Sequence, residues 1–162
     1  KLGFPGGPKI EEIAKGGNYI EVPYTIKGMD MAFSGLLTKL KQLKEIKKFS
    51  DKDLAFSLQE TAFALLVESA ERALAHTGKK ELLLGGGVAC NSRLQKMCKI
   101  MCEERGAKFF VPEKNLLVDN GAMIAYLGEI MFRKGIKVEV KNFDNLNIDA
   151  RQRTDMVDIR WK

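Results

Sequence analysis

Glu81-Leu82-Leu83-Leu84-Gly85-Gly86-Gly87-Val88-Ala89-Cys90-Asn91 is the stretch whose reading decides the fold. A short apolar run that ends in glycines reads as a buried strand turning into a helix. Asn91 suits the cap of that helix. Beyond it Leu94, Met97, Cys98, Met101 and Cys102 fall at i, i+3, i+4, i+7 and i+8, a single helical face. Gly106 ends the helix, and Lys108-Phe109-Phe110-Val111 is the next strand. Asp119 then precedes a further helix with Met123, Leu127, Ile130 and Met131 inward, ended by Gly135. Strand, helix, strand, helix in succession is an α/β pattern.

Upstream lies the longest element, predicted over 51–77. Ser50-Asp51-Lys52-Asp53 resembles a capping box with Asp in place of Glu. Leu54, Leu58, Ala62, Leu66, Ala70 and Leu74 form an unbroken i,i+4 row, and Gly78 supplies the stop. At ~1.5 Å per residue this helix is roughly 40 Å long. Before it, residues 36–48 read as a helix rich in Leu and Lys, and 19–25 and 29–34 as a strand–turn–strand across Lys27-Gly28. Residues 1–17 form a glycine-proline turn and a short helix, with Pro8 placed for the first helical position. Residues 136–162 are a basic tail with a short apolar run at Val138 and Val140. The expected architecture is a mixed sheet with helices on its faces. Right-handed crossovers place the loops 85–91 and 112–119 on one sheet edge, where open α/β folds bind ligands.

Composition narrows the function classes. The chain has 162 residues, 45% hydrophobic and 30% charged, which suits one domain with a core of its own. No apolar run approaches the ~18–20 residues of a membrane span. Residues 1–8 hold no signal-peptide segment and no initiator Met, so the sequence reads as the middle of a longer protein. A net charge of +6 helps attract a polyanion without identifying one. The three cysteines (Cys90, Cys98, Cys102) are odd in number, and two share a helical face, which suits buried thiols and a reducing, cytoplasmic setting.

Three stretches have the residue types for chemistry. In Gly85–Asn91, glycines admit a ligand to the backbone, and a helix start offers unpaired N–H groups that suit phosphate. A tight turn without ligand fits the same residues. It is neither a Walker loop nor the dinucleotide fingerprint. In Gly6-Gly7-Pro8-Lys9-Ile10-Glu11, a carboxylate on the first turn can accept both hydroxyls of a ribose. Equally, Glu11 is a favourable acid near a helix N-terminus. Asp119-Asn120-Gly121 suits a metal or a phosphate, or an Asp cap. One carboxylate does not hold a transition metal, and the single histidine, His76, reads as structural at the end of the long helix. Ser34 has no base near it in sequence. Lys39, Lys41, Lys44, Lys47 and Lys48 suit a solvated helix face or RNA contact, and Trp161 equally an anchor for the tail or a contact with a partner.

Gly6-Gly7-Pro8-Lys9-Ile10-Glu11, Phe33-Ser34-Gly35-Leu36, Gly86-Gly87-Val88-Ala89-Cys90-Asn91-Ser92-Arg93-Leu94 and Asp119-Asn120-Gly121-Ala122-Met123-Ile124-Ala125 follow one another in this order. Together they resemble the carboxy-terminal half of the tRNA threonylcarbamoyladenosine synthase family. Its bacterial members are called TsaD, and its archaeal and eukaryotic members are the catalytic subunit of the KEOPS complex. The Lys-rich sequence between the motifs favours the archaeal type. The resemblance implies a ribonuclease H-like lobe of the actin, Hsp70 and sugar-kinase superfamily. It also implies transfer of threonylcarbamoyl from L-threonylcarbamoyladenylate to the tRNA adenosine 3′ of the anticodon. On matching positions, Gly7 and Glu11 would contact the ribose and adenine side, Asn91 the nucleotide, and Asp119 a divalent metal, iron or zinc. Implied partners are tRNA, an amino-terminal lobe and KEOPS subunits including a kinase-like one, which may be fused downstream.

The family's other metal ligands come from a His-x-x-x-His helix in the amino-terminal half, and no such motif occurs in this sequence. The expectation is half of a site, inactive alone. Two other readings share some of these signals. One is the nucleotide-binding half of an actin-like ATPase or sugar kinase, against which Gly-Gly-Pro-x-Ile-Glu and Asp119 argue. The other is a non-enzymatic docking module for a kinase-like subunit. A zinc-protease activity lacks its histidine pair.

Overall fold

A 27-residue helix, α3 (Asp51–Thr77), is the axis on which the first of two compact units is built. The computed structural model describes residues 2–137, 139, 141, 148 and 150–161, so Val138 and Val140 lie outside the described residues. Before α3 come α1 (Gly6–Ile13), β1 (Ile26–Lys27), β2 (Asp30–Met31) and α2 (Ser34–Ile46). After it come β3 (Glu81–Leu83), a 3₁₀ turn at Gly87–Cys90, α4 (Ser92–Glu104), β4 (Lys108–Phe110), α5 (Lys114–Leu117) and α6 (Gly121–Arg133). A second 3₁₀ turn follows at Thr154–Met156. The chain divides into two compact units, Lys1–Leu117 and Val118–Lys162.

The long helix has the predicted bounds because both of its ends are specified chemically. The Ser50 hydroxyl accepts from the Asp53 amide (3.1 Å) and donates to the Asp53 carboxylate (2.6 Å). The Asp side chain thus takes the cap's hydroxyl proton instead of its backbone N–H. Gly78, at φ +66°, provides the left-handed stop. One side of α3 packs with α2 in a core of Val22, Leu36, Leu40, Leu43 and Leu54. Another packs through Phe63 and Leu74 on Leu94, Cys98, Met101 and Cys102 of α4, with Leu82 and Phe109 beneath.

The third side of α3 is polar and still buried, with Ser57, Thr61 and Ser69 withdrawn from solvent; Gln59, also buried, turns instead toward α4. This face corrects the strand–turn–strand expected over 19–34. The Ile20 amide donates to the Ser57 hydroxyl (2.8 Å), and the Ser69 hydroxyl donates to the Met29 carbonyl (2.7 Å). The Asn18 amide donates to Asp53 (2.7 Å), and Arg72 donates to the Gly28 carbonyl. Several backbone groups of 18–29 therefore find their partners on helix side chains, the Thr25 carbonyl accepts from the Ala32 amide (3.2 Å), and among the described residues Ile26–Lys27 and Asp30–Met31 pair as an antiparallel ladder. Gly17 packs so tightly that a Cβ there would lie 2.6 Å from the Lys52 carbonyl oxygen and 2.7 Å from Phe56 Cβ.

The single mixed sheet is also corrected. Among the described residues there are two separate two-stranded sheets, β1–β2 antiparallel and β3–β4 parallel. In the latter, Leu82 pairs with Phe109 and Leu83 with Phe110. Leu82 and Phe109 face the helices, while Leu83 (69% exposed) and Phe110 (46%) face away. The all-leucine run of β3 is thus covered on one face by this chain. Two boundaries shift as well. The second helix begins at Ser34 instead of 36, and α1 begins at Gly6, so Pro8 sits third in its first turn, where a missing N–H still costs nothing.

Candidate functional site: the start of helix α4

Glu11 and Asn91 lie eighty positions apart in sequence, and the fold brings them to one place. Asn91 is the residue before α4, and its Oδ1 accepts from the Arg93 amide (2.9 Å) and the Leu94 amide (3.2 Å). From α1, Glu11 Oε1 accepts from the Ser92 amide (2.9 Å) and from the Ser92 hydroxyl. Gly7 is one turn before Glu11 on the same helix, and a Cβ there would meet open space.

The sequence suggests that the start of α4 offers free N–H groups to a phosphate. The structure corrects that expectation, because the amides of Ser92, Arg93 and Leu94 are all taken by the chain's own side chains. Glu11 already occupies the position that favours an anion, the positive end of the helix dipole. Open donors lie one step earlier. Among the described residues the amides of Gly85, Gly86 and Gly87 meet no acceptor, and no atom lies within 4 Å of a Cβ built at any of the three. Gly86 has φ +85°, which a side chain rarely adopts.

Behind this edge stand two consecutive residues of α3. Gln59 Oε1 accepts from Asn91 Nδ2 (3.0 Å). Glu60 receives Arg93 in a bidentate pair, Nε to Oε1 at 2.7 Å and Nη2 to Oε2 at 2.5 Å. Gln95, on the first turn of α4, donates to the Ala89 carbonyl (2.7 Å) and closes the 3₁₀ turn. Sequence periodicity missed Gln59 and Glu60, since neither belongs to the apolar row. Gln59 is marked by its burial, which only the fold reveals. Glu11, Gln59, Glu60, Ser92 and Arg93 line an open recess of about 250 Å³. That is below the ~300–1,000 Å³ of a complete ligand pocket. Another recess, about 490 Å³ and largely apolar, lies between α1, α2 and α3, on the Ile10 and Ile13 side of α1.

Asp119 belongs to the second unit. The cap of α6 is Asn120, whose Oδ1 accepts from the Met123 amide (3.0 Å) and whose Nδ2 donates to the Val118 carbonyl (2.9 Å). This removes the reading of Asp119 as an Asp cap and leaves an exposed carboxylate beside a recess of about 360 Å³. Among the described residues no three His, Cys, Asp or Glu side chains are grouped to hold a metal. Cys98 and Cys102 are buried, and burial, with Cys102 nearby, pushes the Cys98 thiol up to about 11. Both stay protonated at neutral pH, which makes them core residues. No helix of the described residues is long and apolar enough to cross a membrane.

The glycine loop with open amides leads into a helix start held by Glu11 and Asn91, an arrangement that suits a phosphate-bearing ligand on an α/β scaffold. Residues 1–126 match the TsaD family, tRNA N6-adenosine threonylcarbamoyltransferase, and the chain belongs to that family. It is 54% identical over 161 residues to the tRNA N6-adenosine threonylcarbamoyltransferase of Thermococcus kodakarensis, covering 99% of this chain and 49% of that protein. It is 53% identical to a probable bifunctional tRNA threonylcarbamoyladenosine biosynthesis protein of Methanoculleus marisnigri, covering 99% of this chain and 29% of that one. Among solved structures, the crystal structure of Thermococcus kodakarensis HypF matches with a TM-score of 0.61 and 25% identity, over 82% of this chain and 17% of HypF. The chain spans about half the length of the curated threonylcarbamoyltransferases it matches.

Proposed function

We propose that the full-length protein transfers a threonylcarbamoyl group from L-threonylcarbamoyladenylate to the N6 amine of a tRNA adenosine, and that this chain supplies one wall of the adenylate site. The observation that carries this reading is the junction of Glu11 with the start of α4 beside the open glycine amides. The names of the relatives support the reaction. The ordered motifs support placing the chain, as one lobe, in the actin, Hsp70 and sugar-kinase superfamily. The small recess fits a half-site whose opposite wall comes from chain outside these residues, so the chain alone is inactive.

The chemistry follows from what each group can do. The glycine amides receive phosphate oxygens without side chains in the way. Glu11 Oε2 has no partner among the described residues and can accept from a ribose hydroxyl, while Oε1 stays on Ser92. Both ends of the Asn91 amide are engaged, so it offers a nucleotide its second Nδ2 hydrogen and, chiefly, a fixed loop. Holding donor and acceptor in register is most of what such a transfer needs from the protein. A divalent ion, iron or zinc, would act as Lewis acid and template when bound. Asp119, released from capping duty, fits one position in its ligand set, and the remaining ligands must come from outside the described residues. The basic surface would receive tRNA phosphates with salt-dependent affinity. The bifunctional relatives support a fused partner domain; that this partner is kinase-like, as in a KEOPS assembly, rests on the family resemblance, and a cytoplasmic location accords with a tRNA substrate.

The test uses the full-length protein. Asp119→Ala should lower its metal content, measured by elemental analysis, together with transfer activity. Full metal content in that variant overturns the assignment of Asp119. Glu11→Ala should weaken ATP binding tenfold or more, and unchanged affinity removes Glu11 from the site.

A further inference from the structure

Three successive residues at the start of α4 are each held by a different acidic or amide side chain. Asn91 is held by Gln59, Ser92 by Glu11 and Arg93 by Glu60. Two of the three holders are neighbours on α3. Resting on the nucleotide-site reading above, we infer that Gln59 and Glu60 are positioning residues for the glycine loop and for Asn91.

The physical case begins with burial. Gln59 is 8% exposed, and a buried amide is costly unless its hydrogen bonds are made. It meets that cost by accepting from Asn91 Nδ2. The bond fixes which end of the Asn91 amide is the acceptor, so Oδ1 stays on the Arg93 and Leu94 amides. Glu60 then fixes the next residue but one. Its bidentate pair with Arg93 is half-withdrawn from solvent, the geometry in which such a pair gives direction as well as attraction. The glycine loop has no side chains of its own with which to hold a conformation. Its three open amides can converge on a ligand only if the residues after them are fixed. Residues 88–90 are tied through Gln95 to the Ala89 carbonyl, and 91–93 are tied through α3 and α1. Gln59 and Glu60 touch no ligand in this scheme. They act through Asn91 and Arg93.

The experiment measures ATP binding by calorimetry on the full-length protein and its variants, since ATP carries the same adenosine as the adenylate. Gln59→Met keeps the length and removes the acceptor. It should weaken binding three- to tenfold and speed hydrogen exchange in the peptide spanning 85–94. Gln59→Glu restores an acceptor and should return both to within twofold of the parent. Should Gln59→Met fail to fold, Glu60→Gln gives the second arm, with the same direction and a smaller effect. In transfer assays the loss should fall on KM while kcat is held. If Asn91→Ala weakens ATP binding and Gln59→Met does not, the positioning role is overturned and the site reading stands. If neither Asn91→Ala nor Glu11→Ala changes binding, the site reading itself falls. Equal loss in Gln59→Met and Gln59→Glu also overturns the inference, because it shows a packing defect.

Discussion

Helices α4 and α6 begin alike and are held differently. Each has 13 residues, follows an asparagine cap and carries apolar residues at helical spacing. The cap of α4 is bonded to α3, its first amide is bonded to α1, and Leu94, Cys98, Met101 and Cys102 are buried. Among the described residues the cap of α6 bonds only to its own neighbours, Val118 and Met123, and α6 buries none of its residues. Ile124, Tyr126 and Phe132 are each about two-thirds exposed. The same local code thus specifies a helix in both places, while anchoring depends on what other elements present to it. Local signals fix where a helix starts, and long-range partners fix how firmly it stands.

The contrast can be broken by mutation. The largest effect is expected at the buried faces. In urea denaturation of the 162-residue chain, Leu94→Ala should cost about 2–5 kcal/mol, and Leu127→Ala on α6 less than about 1. Equal losses would erase the distinction. Next come the caps. Asn91→Ala should cost about 1–2 kcal/mol, because it orphans two amides and Gln59, against about 0.5–1 for Asn120→Ala. The reverse order would show that the contacts to α3 do not anchor α4.

The smallest effect concerns a third helix start. Ser50 beside Asp53, and then the Asn18 amide, hold the Asp53 carboxyl below its ordinary value. A depressed folded value adds stability above the unfolded value of about 3.9, and that stability is lost as pH falls through the folded one. The thermal midpoint of Asp53→Asn should therefore lie below the parent's at pH 7 and converge on it toward pH 2. A difference that is constant over this range would show that the charge of Asp53 is not what matters.

Much of this was legible in the sequence where one residue decides one thing. Both bounds of α3, the cap at Asn91 and the stripe of α4 follow from residue type and spacing. The failures share a cause. The backbone of 18–29 bonds to Ser57, Ser69 and Arg72, and no local pattern announces that a helix will stand in for a strand partner. Asn120 caps α6 in preference to Asp119 because two adjacent residues had equal claims, and geometry chose between them. The motifs mark Gly7, Glu11 and Asn91 as candidates, and the fold brings Glu11 and Asn91 to one helix start. Gln59 and Glu60 were not marked, because their partners lie more than thirty positions away.

The approach of Gly17 to α3 is a matter of reach. With hydrogen as its only substituent, residue 17 lets the chain leaving α1 lie directly on the Lys52 carbonyl and the Phe56 side chain. Even a methyl group there would wedge the two apart. Glu11 sits six residues earlier on the lever so displaced, and its grip on Ser92 would lengthen although neither residue had changed. A residue that makes no bond to Ser92 thereby sets the span across which the carboxylate can work.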